Sequence, residues 1–244
     1  MYRVTALSRA VFAACLAASV SFLSNQTAQA QGGDRPYSWT GFYVGANIGY
    51  GWGDVSVRDT NGGVLPGPFE YDTRGLLGGI QVGYNKQFDS LVAGLEIEGG
   101  YLGATNGEFR IPSSLPPNFQ RLWVDSGLYG IIAARLGIAI QSRTLLYGKA
   151  GAIWFDGEAG QKTTRPGYVT HMADGFNGWA YGGGVEHMLQ GGWSVKLEYM
   201  RLDFGTVTGD QENVGDNSSP IGFKFINKHD FAVDTVKLGI NYRF

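Results

Sequence analysis

Charged side chains recur at alternate positions inside apolar stretches of this sequence, and these residues are the best placed to do chemistry. Glu96 and Glu98 are two residues apart, as are Lys196 and Glu198, so each pair would lie on one face of a β-strand. A buried charge persists only when it is paired, because an unpaired one costs several kcal/mol. The set has as many acids as bases and comprises Glu96, Glu98, Arg135, Lys149, Glu186, Lys196, Glu198 and Lys237.

Histidine is a common ligand of heme iron, and two of the three histidines stand near aromatic residues. His171 lies between Tyr168 and Phe176, and His229 precedes Phe231. Both histidines lie in stretches with the composition of loops. A hemin site at His171 and His229 is therefore one hypothesis, and two solvated loop residues are the simpler one. No recognisable motif surrounds a nucleophile, and we predict no enzyme, no resident cofactor and no metal site.

The N-terminal residues have the organisation of a secretory signal peptide. Two arginines flank the start of an apolar stretch at 10–23, and a small-x-small sequence ending at Ala30 fits a cleavage site. The apolar stretch is too short to cross a bilayer as a helix. We predict a signal peptide at 1–30 and a short periplasmic segment at 31–40, so that the only cysteine, Cys15, leaves with the signal peptide.

The composition is that of neither an ordinary soluble domain nor a disordered chain. The 244 residues include 39 glycines and 14% aromatic residues, but only 16% are charged. The formal net charge of −2 gives no sign of a nucleic-acid partner. The absence of a long apolar stretch after residue 30 excludes a helical membrane protein. A transmembrane β-barrel passes this test, because its strands alternate apolar and polar residues.

Apolar and polar residues alternate with a period of two in eight segments, each about long enough for a tilted strand to cross a membrane. In the first segment Phe42 and Val44 share one face, and Tyr43 lies on the other. The pattern predicts an all-β protein, an eight-stranded antiparallel transmembrane β-barrel at 41–244. The segments are approximately 41–52, 76–87, 91–102, 124–140, 144–155, 178–189, 193–204 and 232–244.

Connections and aromatic residues favour the same arrangement. Short polar turns at 86–90, 141–143 and 190–192 alternate with long segments rich in Gly, Asp, Asn, Pro and Thr. Short periplasmic turns and long outer loops are typical of outer-membrane barrels. Aromatic residues stand near both ends of most segments, as in the belts that membrane proteins place at headgroup depth. The long segments are 53–75, 103–123, 156–177 and 205–231.

The interior of an eight-stranded barrel is just wide enough for its own side chains. Alternate residues of a strand point to opposite faces, and by this odd or even position (strand parity) the eight charged residues named above point into the interior. A network of ion pairs would fill the lumen and hold the barrel together, whereas charges lining water would form a narrow diffusion channel. Parity also directs His187 and Arg201 to the lipid face, where polar side chains must reach the interface at the strand ends.

Glycine and aromatic residues form short motifs along almost the whole predicted mature chain. Each motif alone is weak, but as a set they are specific. They are 39–50 (WTGFYVGANIGY), 79–85 (GIQVGYN), 147–152 (YGKAGA), 182–186 (GGGVE), 197–199 (LEY) and 238–244 (LGINYRF).

These motifs resemble those of the small outer-membrane surface antigens of alphaproteobacteria, the porin-family or opacity-like proteins. The resemblance implies a location in the cell outer membrane, with lipid as the main partner, and a structural role in envelope integrity and surface interactions. Two alternatives stay open. One is a narrow porin-type diffusion channel, and the other is binding of hemin or host surface ligands through the extracellular loops.

The C-terminal residues resemble the signal that the barrel assembly machinery reads on exported barrels. The polar residue Lys237 is followed by Gly239 and then by two aromatic residues, Tyr242 and Phe244. The resemblance implies that the assembly machinery is a partner during biogenesis and that these four residues carry the signal.

Overall fold

Antiparallel β-strands form most of the protein. The computed structural model describes residues 37–59, 69–103, 109–112, 119–124, 126–163, 168–171, 173–215, 220–222 and 224–244, so the predicted signal peptide lies outside the described residues. The strands described are β1 (Gly41–Asp59), β2 (Phe69–Phe88), β3 (Leu91–Leu102), β4 (Phe109–Pro112), β5 (Phe119–Val124), β6 (Gly127–Ile140), β7 (Thr144–Thr163), β8 (Tyr168–His171), β9 (Ala173–Met188), β10 (Trp193–Asn213) and β11 (Lys224–Arg243).

Eight of these strands close into a barrel in the order β1-β2-β3-β6-β7-β9-β10-β11. The closing pair is β1 with β11, whose register runs from Tyr43 opposite Arg243 to Asp59 opposite Asn227. Closure leaves no strand edge in hydrocarbon, where unpaired backbone groups would cost several kcal/mol each. The predicted eight-stranded antiparallel barrel is therefore confirmed. Within the described residues, no helix is long and apolar enough to cross a bilayer.

The outer wall of the barrel is apolar and the middle of its interior is polar, the reverse of a soluble protein. Leu76, Leu95 and Leu238 are 67%, 64% and 62% exposed on its outer wall. Along β10, exposed Val195 and Leu197 alternate with buried Lys196 and Glu198. A wall of exposed aliphatic side chains is stable in lipid rather than in water, so the alternation of the sequence reflects the two sides of a membrane-spanning strand.

Strands extend further outward than the sequence pattern predicted. β7 continues to Thr163 and β10 to Asn213, although their segments were expected to end at 155 and 204. Much of each predicted long loop is therefore strand, because the Gly-, Thr- and Asp-rich residues still pair with neighbouring strands. Three short strands, β4, β5 and β8, continue this pairing on the outer side.

Apolar clusters lie inside the barrel on both sides of its polar middle. Near the outer end, the rings of Phe155, Phe176, Phe204 and Phe231 pack with centroids 5.0 to 6.2 Å apart. Near the periplasmic end, Trp39 packs with inward-facing residues of β3, β7 and β9. The lumen is thus occupied by side chains along its length.

Candidate functional site

Lys149 lies at the centre of the polar lumen and contacts three carboxylates. Its Nζ is 2.8 Å from Glu96, 2.9 Å from Glu198 and 3.4 Å from Glu98. All four side chains are at most 1% exposed. An ammonium group surrounded by acceptors in this way can be charged without water.

Two further lysines complete this central group. Lys237 Nζ lies 2.7 Å from Glu98 and 3.0 Å from Glu198. Lys196 Nζ is more distant, 3.6 Å from Glu96 and 3.7 Å from Glu198, and it donates no hydrogen bond in the structure. Three lysines therefore face three glutamates, and Lys149 is held more closely than Lys196.

Three tyrosine hydroxyls bind the same glutamates and were not among the predicted site residues. Tyr43 donates to Glu96 at 2.6 Å, Tyr129 to Glu98 at 2.7 Å, and Tyr147 to Glu198 at 2.8 Å. Each carboxylate thus accepts a neutral donor besides its lysines. Strand parity could have placed these rings inside, but parity does not tell which carboxylate a hydroxyl reaches.

Glycines on the intervening strands make these contacts possible. In the register, Gly83 of β2 lies between Tyr43 of β1 and Glu96 of β3. A Cβ at Gly83 would overlap the Tyr43 ring. The same arrangement recurs where Gly184 of β9 separates Tyr147 from Glu198. A missing side chain on the middle strand lets a tyrosine reach across it.

Glu186 forms a second group, nearer the periplasmic end. It accepts hydrogen bonds from Arg135, from Ser194 Oγ at 2.5 Å and from Asn241 Nδ2 at 2.9 Å. Arg243 Nη2 lies 3.9 Å from the same carboxylate. Arg243 was not in the predicted charge set, although its parity matches that of Lys237, so the described part of the lumen has one more base than the predicted set.

Residues before β1 cover the periplasmic end of the lumen. The Trp39 backbone N–H donates to Gln87 Oε1 at 2.8 Å, and the Trp39 side chain is fully buried. Arg243 stacks over the Trp39 ring at 4.7 Å, and Arg143 stacks over Tyr37 at 4.0 Å. Residues 37–40 of the predicted periplasmic segment therefore pack into the barrel mouth, and 31–36 lie outside the described residues.

Arg201 and His187, which strand parity directs to the lipid face, have partners there. Arg201 Nη1 lies 2.9 Å from Asp234 Oδ2, and Tyr199 donates to Asp234 Oδ1 at 2.6 Å. His187 Nδ1 lies 2.9 Å from Thr144 Oγ1 near the periplasmic end. Both side chains are thus paired within the protein on this face, as polar groups that face lipid usually are.

The histidines considered for hemin lie in strands, which corrects their assignment to loops. His171 belongs to β8 opposite Asp210, and His229 belongs to β11 opposite Val207. Their side chains are outside the described part of the structure. Nearby Phe176 and Phe231 are not loop rings, because both are buried in the outer lumen cluster. Among the described residues, no group of three or more metal-binding side chains occurs.

The residues of the predicted assembly signal point to both sides of the barrel wall. Lys237 is in the central ion-pair group, and a Cβ at Gly239 would lie 2.8 Å from Cε of Lys196. Tyr242 and Phe244 face outward, with ring centroids 5.3 Å apart. The Phe244 N–H donates to the Phe42 carbonyl at 3.0 Å, so the last residue helps to close the barrel.

Comparisons with known proteins agree with this geometry. Residues 13–244 match the family described as "Outer membrane protein beta-barrel domain". The 31 kDa outer-membrane immunogenic protein of Brucella melitensis biotype 1 is 26% identical over 245 residues, covering 96% of each chain. The 25 kDa outer-membrane immunogenic protein of Brucella abortus biovar 1 is 26% identical over 208 residues, covering 85% of this chain and 80% of the relative.

Among solved structures, the outer membrane protein OprG from Pseudomonas aeruginosa is similar with a TM-score of 0.51. The identity is 13%, and the match covers 84% of this chain and 96% of OprG. Similarity at this level shows a shared fold and nothing more specific.

Proposed function

We propose that this chain, which belongs to the outer membrane protein beta-barrel domain family, is a structural surface protein of the cell outer membrane. In this proposal the filled lumen stabilises the barrel, and the outer parts meet the cell's surroundings. The protein contributes to envelope integrity as a rigid lipid-embedded element and does not act as a catalyst. Its main partner is outer-membrane lipid.

The packing of the lumen carries the proposal. Lys149 alone contacts three glutamates, and each of these glutamates also accepts a hydrogen bond from a tyrosine. A channel would need the same charges to face water, whereas here the side chains are at most 1% exposed. Apolar residues cover the polar group on both sides, with phenylalanines outward and Trp39 toward the periplasm.

The C-terminal strand supports a role for the barrel assembly machinery during biogenesis. Tyr242 and Phe244 form an exposed aromatic pair on the outer wall beside the closing seam of β1 and β11. In the proposal this pair is read by the machinery before closure, and Lys237 and Gly239 contribute to the finished lumen.

Loss of the protein from its host tests the structural role. A deletion strain should be more sensitive to detergents and to large antibiotics, and the wild-type chain should restore resistance. The Lys149→Met chain should restore it only in proportion to the folded barrel found in the outer membrane. A deletion that leaves detergent resistance intact but slows the uptake of small solutes would favour the diffusion channel instead.

Binding of hemin through the outer parts of the barrel stays a separate prediction. Titration of the purified barrel with hemin, followed by the Soret band, should give the same curve for the wild type and for a His171→Ala/His229→Ala variant if these histidines are not ligands. A saturable band that the double variant loses would support a hemin role in place of a purely structural one. A host surface ligand would be sought with the same folded barrel.

A further inference from the structure

Charges inside the barrel do not balance at the periplasmic end. In the middle of the lumen, three lysines face three glutamates. Below them, Arg135 donates to Glu186 Oε2, and Arg243 Nη2 lies 3.9 Å from Oε1 of the same residue. Among the residues that the structure describes in this part of the lumen, two guanidinium groups therefore share one carboxylate. One positive charge therefore has no acidic partner among the described side chains.

Several buried N–H groups in this part of the lumen also have no acceptor among the described residues. They are Nε and Nη1 of Arg135, Nε and Nη2 of Arg243, and Nε1 of Trp39. The Arg135 side chain is 1% exposed and that of Arg243 is 9% exposed. Buried donors without an acceptor lower stability, and charged donors lower it most. The buried acceptors without a donor among the described residues, Asn47 Oδ1 and Asn85 Oδ1, are neutral amide oxygens and cannot balance the charge.

These donors belong to one region of the lumen. The Arg243 guanidinium lies over the Trp39 ring at 4.7 Å, and that of Arg135 lies over the Tyr147 ring at 3.6 Å. Trp39 and Tyr147 are members of the same buried cluster. Both guanidinium groups also approach Glu186, so their free N–H groups lie in the same part of the lumen.

We propose that a small monovalent anion such as chloride binds between Arg135 and Arg243, beside Trp39, in the periplasmic part of the lumen. The anion accepts hydrogen bonds from the guanidinium and indole N–H groups and neutralises the excess charge. Water would satisfy the donors but would leave the charge, and a dianion would reverse its sign. The proposal depends on these contacts and not on the envelope role, and it holds whether or not the protein affects detergent resistance.

Thermal unfolding of the purified barrel in a neutral detergent tests the proposal. The unfolding midpoint is measured while chloride replaces gluconate at constant ionic strength. Chloride should raise the midpoint in proportion to the logarithm of its concentration once it exceeds the dissociation constant, by on the order of 5 °C at a hundredfold excess. Crystals grown in bromide should then show one anomalous peak between the two guanidinium groups.

Matched variants separate the anion from a general salt effect. Arg243→Gln removes the excess charge and should lose the logarithmic rise of the midpoint with chloride, whereas Arg243→Lys keeps the charge and should retain a smaller rise. Arg143→Gln, at an arginine in an exposed periplasmic turn, should respond as the wild type does. A linear response to chloride in all four proteins, or bromide peaks only at the surface with water between the arginines, would overturn the proposal.

Discussion

Tyr43 on β1 donates a hydrogen bond of 2.6 Å to Glu96 on β3, across Gly83 of the strand between them. The glycine leaves room for the ring, and the hydroxyl then helps to keep the carboxylate out of water. Tyr147 and Glu198 are related in the same way across Gly184. The lumen is therefore held together by contacts that skip a strand, which fill its cross-section instead of lining its wall.

The lysines should differ in their contributions to stability. Lys149→Met leaves three glutamates without their shared partner and should lower the free energy of unfolding by about 3–5 kcal/mol. Lys196→Met should cost less, because the Lys196 ammonium lies 3.6 Å and 3.7 Å from its partners and donates no hydrogen bond. Denaturant unfolding of both variants in the same detergent shows which substitution lowers the free energy of unfolding more. Equal losses, or a larger loss for Lys196→Met, would contradict the central place of Lys149.

Removal of one tyrosine hydroxyl should have a measurable effect on stability. Tyr129→Phe deletes the donor that lies 2.7 Å from Glu98 and should destabilise the barrel by about 1.5–3 kcal/mol, the usual range for a hydrogen bond to a charged group. Tyr101→Phe serves as the control, because Tyr101 is 53% exposed on the outer wall. Both are measured by thermal unfolding. A Tyr129→Phe variant as stable as the wild type would mean that water replaces the hydroxyl and that the lumen holds water beside Glu98.

A single methyl group at Gly83 should disturb the lumen. Gly83→Ala forces the Tyr43 ring away from Glu96 and should destabilise the barrel by about 1–3 kcal/mol, as overpacking does in other interiors. Gly215→Ala is the matched control, since a Cβ there has nothing within 4 Å. The two are compared by the temperature at which the folded gel band converts to the unfolded one. Indistinguishable temperatures would remove Gly83 from the account.

The terminal aromatic residue should matter for assembly more than for stability. Phe244→Ala should reduce the amount of folded barrel in the outer membrane, because it removes one ring of the exposed Tyr242 and Phe244 pair. Phe88→Ala is the control, as Phe88 is a comparably exposed phenylalanine (57%) at the periplasmic end of β2. Folded barrel is quantified in outer-membrane fractions by heat-dependent gel mobility. Equal losses from the two variants would show that the terminal position carries no special signal.

Alternation of apolar and polar residues was enough to predict the barrel, because the lipid face demands a side chain of the same kind at every second position. It also directed Lys149 inward, although β7 has apolar residues such as Leu145 and Ile153 on the same face. The outward extension of β7 and β10 was missed, since strand pairing outside the membrane does not require apolar residues. Glycine- and threonine-rich sequence therefore looked like loop.

The partners within the lumen could not be predicted from alternation. Parity gives the direction of a side chain but not its level along the barrel, and the level depends on the register of all eight strands. Arg243 illustrates the difference between the direction of a side chain and its level along the barrel. Its parity was inward, yet its approach to Glu186 and its contact with Trp39 depend on a strand pairing and on residues before β1.

Conductance of the purified barrel in planar bilayers tests most directly whether the lumen is filled. The wild-type protein should show no steady, reproducible open level, because the ion-pair group and the two apolar clusters occupy the described part of the lumen. Lys196→Met is recorded and unfolded in parallel, and it should remain closed while it loses stability. A stable single-channel conductance in the wild type, shifted toward cations by Lys196→Met without a loss of stability, would contradict the account.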